Sequence, residues 1–199
     1  MKQDFAHQIA FIAHTACGQY RADGVTPYIR HPERVALLTR EFYDYLPGNR
    51  NDREVAAYLH DVLEDTKLTR DHLLDLGITD YQLDIVERLT KEKPNEPATD
   101  EYYQRIAESN DALLVKCADR CANLEDAMLE LNAKVPKEPG RWGRYAEKTV
   151  TRILPLYATL PQLRAELERR VEWIKKALPA AVERRADFVA RRRDEHARS

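Results

Sequence analysis

Residues 60–65 read HDVLED, and this hexapeptide follows the apolar run VAAYL at residues 55–59. In a helix, side chains three and four positions apart are neighbours, so His60 would lie beside Glu64 and Asp61 beside Asp65. Three carboxylates gathered around one imidazole on a half-buried helix repel one another and raise one another's pKa. A bound cation would remove this conflict, so the hexapeptide predicts a metal site.

The composition bounds the class of protein. The 199 residues suffice for one domain with a core plus an appendage, and a net charge of -2 argues against a nucleic-acid-binding surface. No apolar run approaches the roughly 20 residues that span a bilayer. The N-terminus has no signal-peptide pattern, and three cysteines without paired spacing favour a cytoplasmic location. We expect no membrane or nucleic-acid partner, while a homo-oligomer stays open.

The hydrophobic pattern predicts an all-α fold. A period near 3.6 residues dominates, and no convincing alternating strand or internal repeat is present. Proline and glycine mark the loops, including one predicted at residues 134–143. From Leu160 onward arginine, glutamate and alanine increase, so we expect a globular domain over residues 1–160 and a charged helical extension over 161–199. The predicted helices include those at about 3–19, 31–45, 53–64, 100–108, 111–132 and 144–159.

A metal site needs more ligands than one helix supplies. His31 is held by Pro32, and Asp119 follows an apolar run, so both stand in unusual contexts. Imidazole and carboxylate together suit manganese, iron or zinc. A lone histidine beside proline is usually a cap or a surface group, however, and a mid-helix aspartate usually faces solvent. Position alone therefore assigns neither residue.

Three motifs in register point to a family. The chain reads HPERVA at 31–36, HDVLED at 60–65 and KCADRCANL at 116–124. In this order and spacing they resemble the HD-domain hydrolases of the RelA/SpoT group, whose patterns are HPxxVA, HDxxED and K-x-A-D-[RK]-x-x-N-[LM]. The match spans about residues 5–160.

The resemblance implies an all-α HD-domain helical bundle that holds one divalent metal ion, usually manganese, with iron and zinc not excluded. It also implies that a carboxylate pair after the metal motif activates the attacking water, and that three further residues bind the nucleotide. The implied metal ligands are His31, His60, Asp61 and Asp119. The implied catalytic pair is Glu64 and Asp65, and the implied substrate-binding residues are Arg21, Asn123 and Tyr145.

The implied activity is hydrolysis of the 3′-pyrophosphate of guanosine tetra- and pentaphosphate, (p)ppGpp, to pyrophosphate and GDP or GTP. The chain is too short for an added synthetase domain, so we expect a stand-alone hydrolase with an anionic nucleotide as its partner. Two positions depart from the family pattern: Ala22 follows Arg21 where a second basic residue is common, and Glu125 stands where arginine is common. Both changes remove positive charge near the expected substrate.

Two other functions therefore stay open. One is hydrolysis of another nucleotide, such as an adenosine alarmone or a phosphorylated dinucleotide, which could neutralise a toxic nucleotide synthetase. The other is a binding module with a lost active site, acting through its basic tail. That module would bind no metal, and the intact motif residues argue against it.

Overall fold

The computed structural model describes residues 3–21, 23–93 and 96–197, and these residues form helices joined by loops. The β contact within them is an isolated antiparallel bridge between Tyr20 and Pro27. The predicted all-α class is therefore confirmed. Within the same residues, no helix combines the length and the apolar character needed to cross a membrane.

Ten α-helices follow one another along the described chain. They are α1 (Gln3–Ala16), α2 (Arg30–Glu41), α3 (Arg50–Leu59), α4 (Val62–Asp65), α5 (Arg70–Asp75), α6 (Asp80–Leu89), α7 (Asp100–Ala107), α8 (Asn110–Leu131), α9 (Pro139–Lys148) and α10 (Pro161–Ala197).

The chain divides into two compact units, Met1–Ala122 and Asn123–Ser199, and the boundary falls within α8. In the first unit α3 packs against α1, α2 and α6. Its side chains Val55, Ala56, Ala57 and Leu59 are completely buried. A helix surrounded by three others and filled with small or branched residues forms the centre of a close-packed core. The residues that follow α3 are therefore held on a rigid support.

Helix α3 begins earlier than the sequence predicts. The side chain of Asn49 accepts hydrogen bonds from the backbone N–H groups of Asn51 and Asp52, so Asn49 is the N-cap. The sequence pattern favours Asp52 as the N-cap of the predicted helix over 53–64, and this prediction was wrong. Asparagine and aspartate are both strong N-caps, and the pattern alone did not distinguish them.

Helix α3 also ends earlier, and this end shapes the candidate site. The predicted helix over 53–64 is interrupted at His60, and a separate single turn, α4, follows Asp61. The prediction of one continuous helix was wrong. The sequence has no glycine or proline at the break, so the usual signal for a helix end is missing there. His60 and Asp61 consequently lie in a turn rather than on a helix surface.

The second unit contains α9, α10 and the chain between them. The predicted loop at 134–143 was wrong in its second half, because Pro139 starts α9 instead of breaking a helix. Proline is favoured at the first helical position, where its missing N–H has no partner to lose. A π-helical turn, Thr149–Ile153, and a 3₁₀ turn, Leu154–Tyr157, follow where the sequence predicts a helix to 159.

Helix α10 is a single helix of 37 residues. Its buried residues Leu163, Leu167, Val171 and Ile174 recur at helical spacing and form one apolar stripe. From Val182 to Glu195 no side chain is buried. The boundary predicted between residues 160 and 161 stays a prediction.

Candidate metal centre

Three distant segments of the first unit bring their motif residues together. His31 lies in the first turn of α2, His60 follows α3, and Asp119 lies on α8. One ligand atom from each of these three buried residues lies within 4.8 Å of the others. His31 Nε2 is 3.3 Å from Asp119 Oδ1, and His60 Nε2 is 3.9 Å from the same oxygen. Two imidazole nitrogens and a carboxylate oxygen therefore converge on one point.

Asp61 adds a fourth group beside this cluster. Its Oδ2 lies 2.9 Å from His60 Nε2 and 3.7 Å from His31 Nε2. The early end of α3 makes this arrangement possible, because consecutive residues on a continuous helix point about 100° apart. In the turn, His60 and Asp61 approach each other closely instead.

The hydrogen bonds of His60 fit a metal ligand. Its Nδ1 lies 2.8 Å from the carbonyl oxygen of Ala57, so Nδ1 carries a proton and Nε2 is the nitrogen that would present its lone pair to a metal ion. Among the described residues the buried Nε2 has no hydrogen-bond partner, and its 2.9 Å approach to Asp61 is an ion-pair contact. A metal-bound histidine commonly donates its other ring N–H to a backbone carbonyl in this way. The donor set and the unpaired nitrogen both suit a divalent cation.

The local charges favour a bound cation. Burial alone would lower the pKa of His60, but Asp61 and Asp119 outweigh it and raise this pKa to about 9. Burial likewise opposes ionisation of Asp61 and Asp119, yet their pKa values lie below the usual range because His60, His31 and Lys116 surround them. Carboxylates that stabilise an imidazolium would also stabilise a divalent ion in its place.

Asp119 has a second partner on the side away from His31. Lys116 Nζ lies 2.9 Å from Asp119 Oδ2, one turn earlier on α8. Burial would lower the pKa of Lys116, but Asp119 raises it instead, so this lysine stays charged. The lysine fixes the Asp119 carboxylate with one oxygen toward the histidines.

The two carboxylates of α4 have different surroundings. Both oxygens of Glu64 are engaged by Lys91, Oε1 through the ammonium at 2.5 Å and Oε2 through the backbone N–H at 3.1 Å. Within the described part of the chain, the side-chain hydrogen bond given for the Asp65 carboxylate comes from Tyr28 and not from a lysine or an arginine. Burial, with the charges of Asp61 and Glu64, raises the pKa of Asp65 to about 6. Asp65 therefore binds a proton more readily than an ordinary aspartate.

Sequence reasoning missed the residues that connect this cluster to the loop before α2. The Tyr28 hydroxyl donates to Asp61 Oδ2 at 2.6 Å and lies 3.3 Å from Asp65 Oδ2. Gln19 Nε2 donates to the backbone carbonyl of Asp65, and His14 Nδ1 lies 2.5 Å from Gln19 Oε1. The Pro27–Tyr28 dipeptide before the first motif was the available signal for Tyr28. No sequence motif indicated a role for Gln19 or His14.

The predicted substrate-binding residues fall in different places. The Arg21 guanidinium lies 5.5 Å above the centre of the Tyr28 ring, so this residue stands next to the cluster. Asn123 follows Asp119 by four positions on α8 and belongs to the second unit. Tyr145, on α9 in the second unit, packs edge-on against Trp142. The roles of all three residues stay predictions.

Of the two positions that depart from the family pattern, Glu125 lies within the described residues. Ala22 lies outside the described residues. Glu125 accepts hydrogen bonds from Nε and Nη2 of Arg170 on α10. The acidic residue is therefore paired within the second unit, whereas an arginine at this position would meet the like charge of Arg170.

Comparison with known proteins agrees with the geometry. The HD domain family matches residues 28–124. The chain is 30% identical over 193 residues to the guanosine-3′,5′-bis(diphosphate) 3′-pyrophosphohydrolase of Haemophilus influenzae, covering 87% of this chain and 27% of that protein. It therefore spans only about a quarter of that relative's length.

A second relative is covered over most of its length. The chain is 35% identical over 173 residues to the guanosine-3′,5′-bis(diphosphate) 3′-pyrophosphohydrolase MESH1 of Mus musculus, covering 81% of this chain and 89% of that protein. A solved structure, described as a metazoan ortholog of SpoT that hydrolyses ppGpp, has the same fold with a TM-score of 0.67 at 23% identity, covering 85% of this chain and 93% of that one. The chain thus belongs to the metal-dependent HD-domain hydrolases of the RelA/SpoT group.

Proposed function

We propose that the protein hydrolyses the 3′-pyrophosphate of (p)ppGpp and releases pyrophosphate with GDP or GTP. The observation that carries this proposal is the convergence of His31, His60 and Asp119, with Asp61 beside them, in a chain of this family. Both relatives described above are named for this reaction. A hydrolase of guanosine nucleotides meets its substrate in the cytoplasm, which is where we expect it.

His31, His60, Asp61 and Asp119 would hold the metal ion, and we propose manganese. Two imidazoles and two carboxylates suit manganese, and they also suit iron and zinc. When bound, such an ion lowers the pKa of a coordinated water and polarises a phosphoryl oxygen. Asp119 is pre-oriented for this task by Lys116, and His60 by the carbonyl of Ala57.

Asp65 and Glu64 divide the remaining work of the reaction. Asp65 accepts the proton of the attacking water at Oδ1, the oxygen that does not face Tyr28. The water oxygen then bonds to the 3′-phosphorus and the bond from phosphorus to the 3′-oxygen breaks. The proton held by Asp65 passes to the 3′-oxygen, which restores the Asp65 carboxylate. Glu64, held at both oxygens by Lys91, is a fixed negative charge that orients the water. This division follows from the two contacts of Lys91 with Glu64.

Arg21, Asn123 and Tyr145 are the proposed nucleotide-binding residues. Arg21 already lies over an aromatic ring, and a guanidinium in that position can also stack on a purine. Asn123 offers an amide for hydrogen bonds to the nucleotide, and Tyr145 offers an aromatic face. These contacts would select the nucleotide, whereas the metal cluster would carry out the chemistry.

A different nucleotide is the second candidate substrate. The observation in its favour is Glu125, an acidic residue where relatives often carry arginine, held by Arg170. A site with a different arrangement of charges suits a different nucleotide, such as an adenosine alarmone or a phosphorylated dinucleotide. The reaction class and the metal cluster would be the same for that substrate.

The deciding experiment supplies purified protein with Mn²⁺ and ppGpp and measures pyrophosphate release, with other nucleotides in parallel. We expect turnover of ppGpp, its loss on chelation, and its return when Mn²⁺ is added. Asp61→Ala should lose both metal and activity, whereas Asp187→Ala on the exposed face of α10 should keep both. Turnover of another nucleotide alone would favour the second candidate. A chain that binds no metal would instead be a binding module.

A further inference from the structure

We propose that Tyr28 is a positioning residue whose hydroxyl fixes the Asp61 carboxylate toward the metal and sets its distance from Asp65. The inference rests on the proposed function for its catalytic part and on the metal cluster alone for its binding part. It adds a residue that connects the metal-binding half of the hexapeptide HDVLED to its water-activating half.

The first step is the identity of the contacted oxygen. The Tyr28 hydroxyl donates to Asp61 Oδ2, the same oxygen that lies 2.9 Å from His60 Nε2 and 3.7 Å from His31 Nε2. A carboxylate oxygen has two lone pairs, so it can accept this hydrogen bond and still face the point where the histidines converge. The hydroxyl therefore restrains the direction of a metal-facing oxygen.

The second step is the link to Asp65. Its Oδ2 lies 3.3 Å from the Tyr28 oxygen, longer than the 2.6 Å contact with Asp61. The single hydroxyl proton is therefore directed at Asp61, and the oxygen of Tyr28 faces Asp65. One phenol oxygen thus lies within 3.3 Å of a carboxylate oxygen of both Asp61 and Asp65.

The third step is the rigidity of Tyr28 itself. Its backbone N–H donates to the carbonyl of Gln19, and its ring contacts His14 at a centroid distance of 4.7 Å and His31 at 5.9 Å. The Gln19 side chain in turn donates to the backbone carbonyl of Asp65. The loop before α2 is thereby tied to α4 at two points, and the hydroxyl is held where it can direct a carboxylate.

The ring and the hydroxyl have separate tasks. The ring face lies under the Arg21 guanidinium, while the hydroxyl at the end of the side chain donates to Asp61. Removing only the hydroxyl should therefore affect metal binding and catalysis without disturbing Arg21. This separation is what an experiment can detect.

The test compares Tyr28→Phe with Tyr43→Phe. Tyr43 is a matched control because its hydroxyl also bonds a carboxylate, Glu54, at 2.7 Å, together with the backbone carbonyl of Arg50. For Tyr28→Phe we expect Mn²⁺ affinity, measured by calorimetry, to fall about 10- to 100-fold, as for other groups that orient metal ligands. At saturating Mn²⁺, kcat for ppGpp should fall while KM changes less than about twofold. Tyr43→Phe should leave the metal affinity, kcat and KM unchanged.

A second variant separates the role of the Tyr28 ring from that of its hydroxyl, and the measurement of Mn²⁺ affinity does not depend on the substrate. Tyr28→Leu removes the ring as well, so it should also raise KM through the loss of the support under Arg21. Wild-type Mn²⁺ affinity and kcat in Tyr28→Phe would overturn the proposal. So would a Tyr28→Phe chain that unfolds while Tyr43→Phe does not, because the hydroxyl would then be structural. If wild-type protein leaves ppGpp intact, the proposed function fails, yet the calorimetric comparison still decides the binding role of Tyr28.

Discussion

At the scale of single residues, the sequence identified ionisable groups better than it identified their partners. His31, His60 and Asp119 were predicted from motifs and meet in the fold. Lys91 and Tyr28 were not predicted as partners of the α4 carboxylates, because a contact between segments tens of residues apart leaves no local pattern. A cluster of charges can be read from spacing, whereas the groups that tune each charge come from tertiary packing.

Asp65 should make the protein less stable as pH rises, and removing its charge should reverse that effect. Its pKa in the folded chain is about 6, above the ordinary value of 3.8, so the folded state binds the proton more tightly. Stability therefore declines between about pH 4 and pH 6 and stays low above that range. Urea denaturation in the presence of a chelator should show Asp65→Asn to be more stable than wild type at pH 7.5, with a smaller gain at pH 4.

The control for this prediction is Asp187→Asn, on an exposed part of α10. It reports the effect of the substitution itself without the neighbouring carboxylates. An equal gain for Asp65→Asn at both pH values would contradict the argument, because the stability difference would then not follow the titration of Asp65.

At the scale of elements, the hydrophobic period predicted which segments are helical but not where each helix stops. The apolar run at 55–59 is the centre of α3, as its pattern indicates. The interruption at His60 could not be predicted, because it satisfies the geometry of the site rather than a local preference for a turn. The prediction at Pro139 was wrong for a different reason. Proline opposes a helix interior but is favoured at the first helical position, and Pro139 occupies that position in α9.

The buried ion pair between α3 and α8 is expected to be a main support of the site. Arg53, completely buried, donates to Asp111 at 2.5 Å and to the backbone carbonyls of Leu46 and Pro47. Removing one partner of a buried pair leaves an unpaired charge inside the protein. We therefore expect Arg53→Met to lower the free energy of unfolding by about 3–5 kcal/mol.

Arg50→Met is the matched control for that prediction. Arg50 pairs with Asp44 at 2.7 Å, but both side chains are largely exposed to solvent. Exposed pairs contribute about 0–1 kcal/mol, so this variant should be nearly as stable as wild type in chemical denaturation. Equal losses for the two variants would mean that burial of the Arg53 pair does not determine its contribution.

At the scale of the whole molecule, the resemblance to a known family predicted more about this chain than its composition did. Net charge and length bounded the class of protein, but the three motifs in register gave the fold and the family. The motifs do not determine which nucleotide is the substrate, because that choice depends on positions outside them. Glu125, which forms an ion pair with Arg170, is the clearest of these positions.

The basic C-terminal end of the chain should be dispensable for the chemistry. No side chain from Val182 to Glu195 is buried, so these residues add little to the apolar core. Removal of residues 191–199 should leave the melting temperature and the rate of ppGpp hydrolysis unchanged in side-by-side assays. A slower reaction with an unchanged melting temperature would instead assign this end a part in binding substrate or another chain.

The wide spacing of the proposed ligands has a consequence for the lifetime of the protein. His31, His60 and Asp119 are about thirty and about sixty positions apart, so an ion held by all three joins distant parts of one chain. Such a link is absent from the unfolded state, and metal binding therefore slows opening of the fold. Protein starved of metal would be cut by proteases sooner, so the supply of the ion would govern how much enzyme persists as well as how fast each copy works.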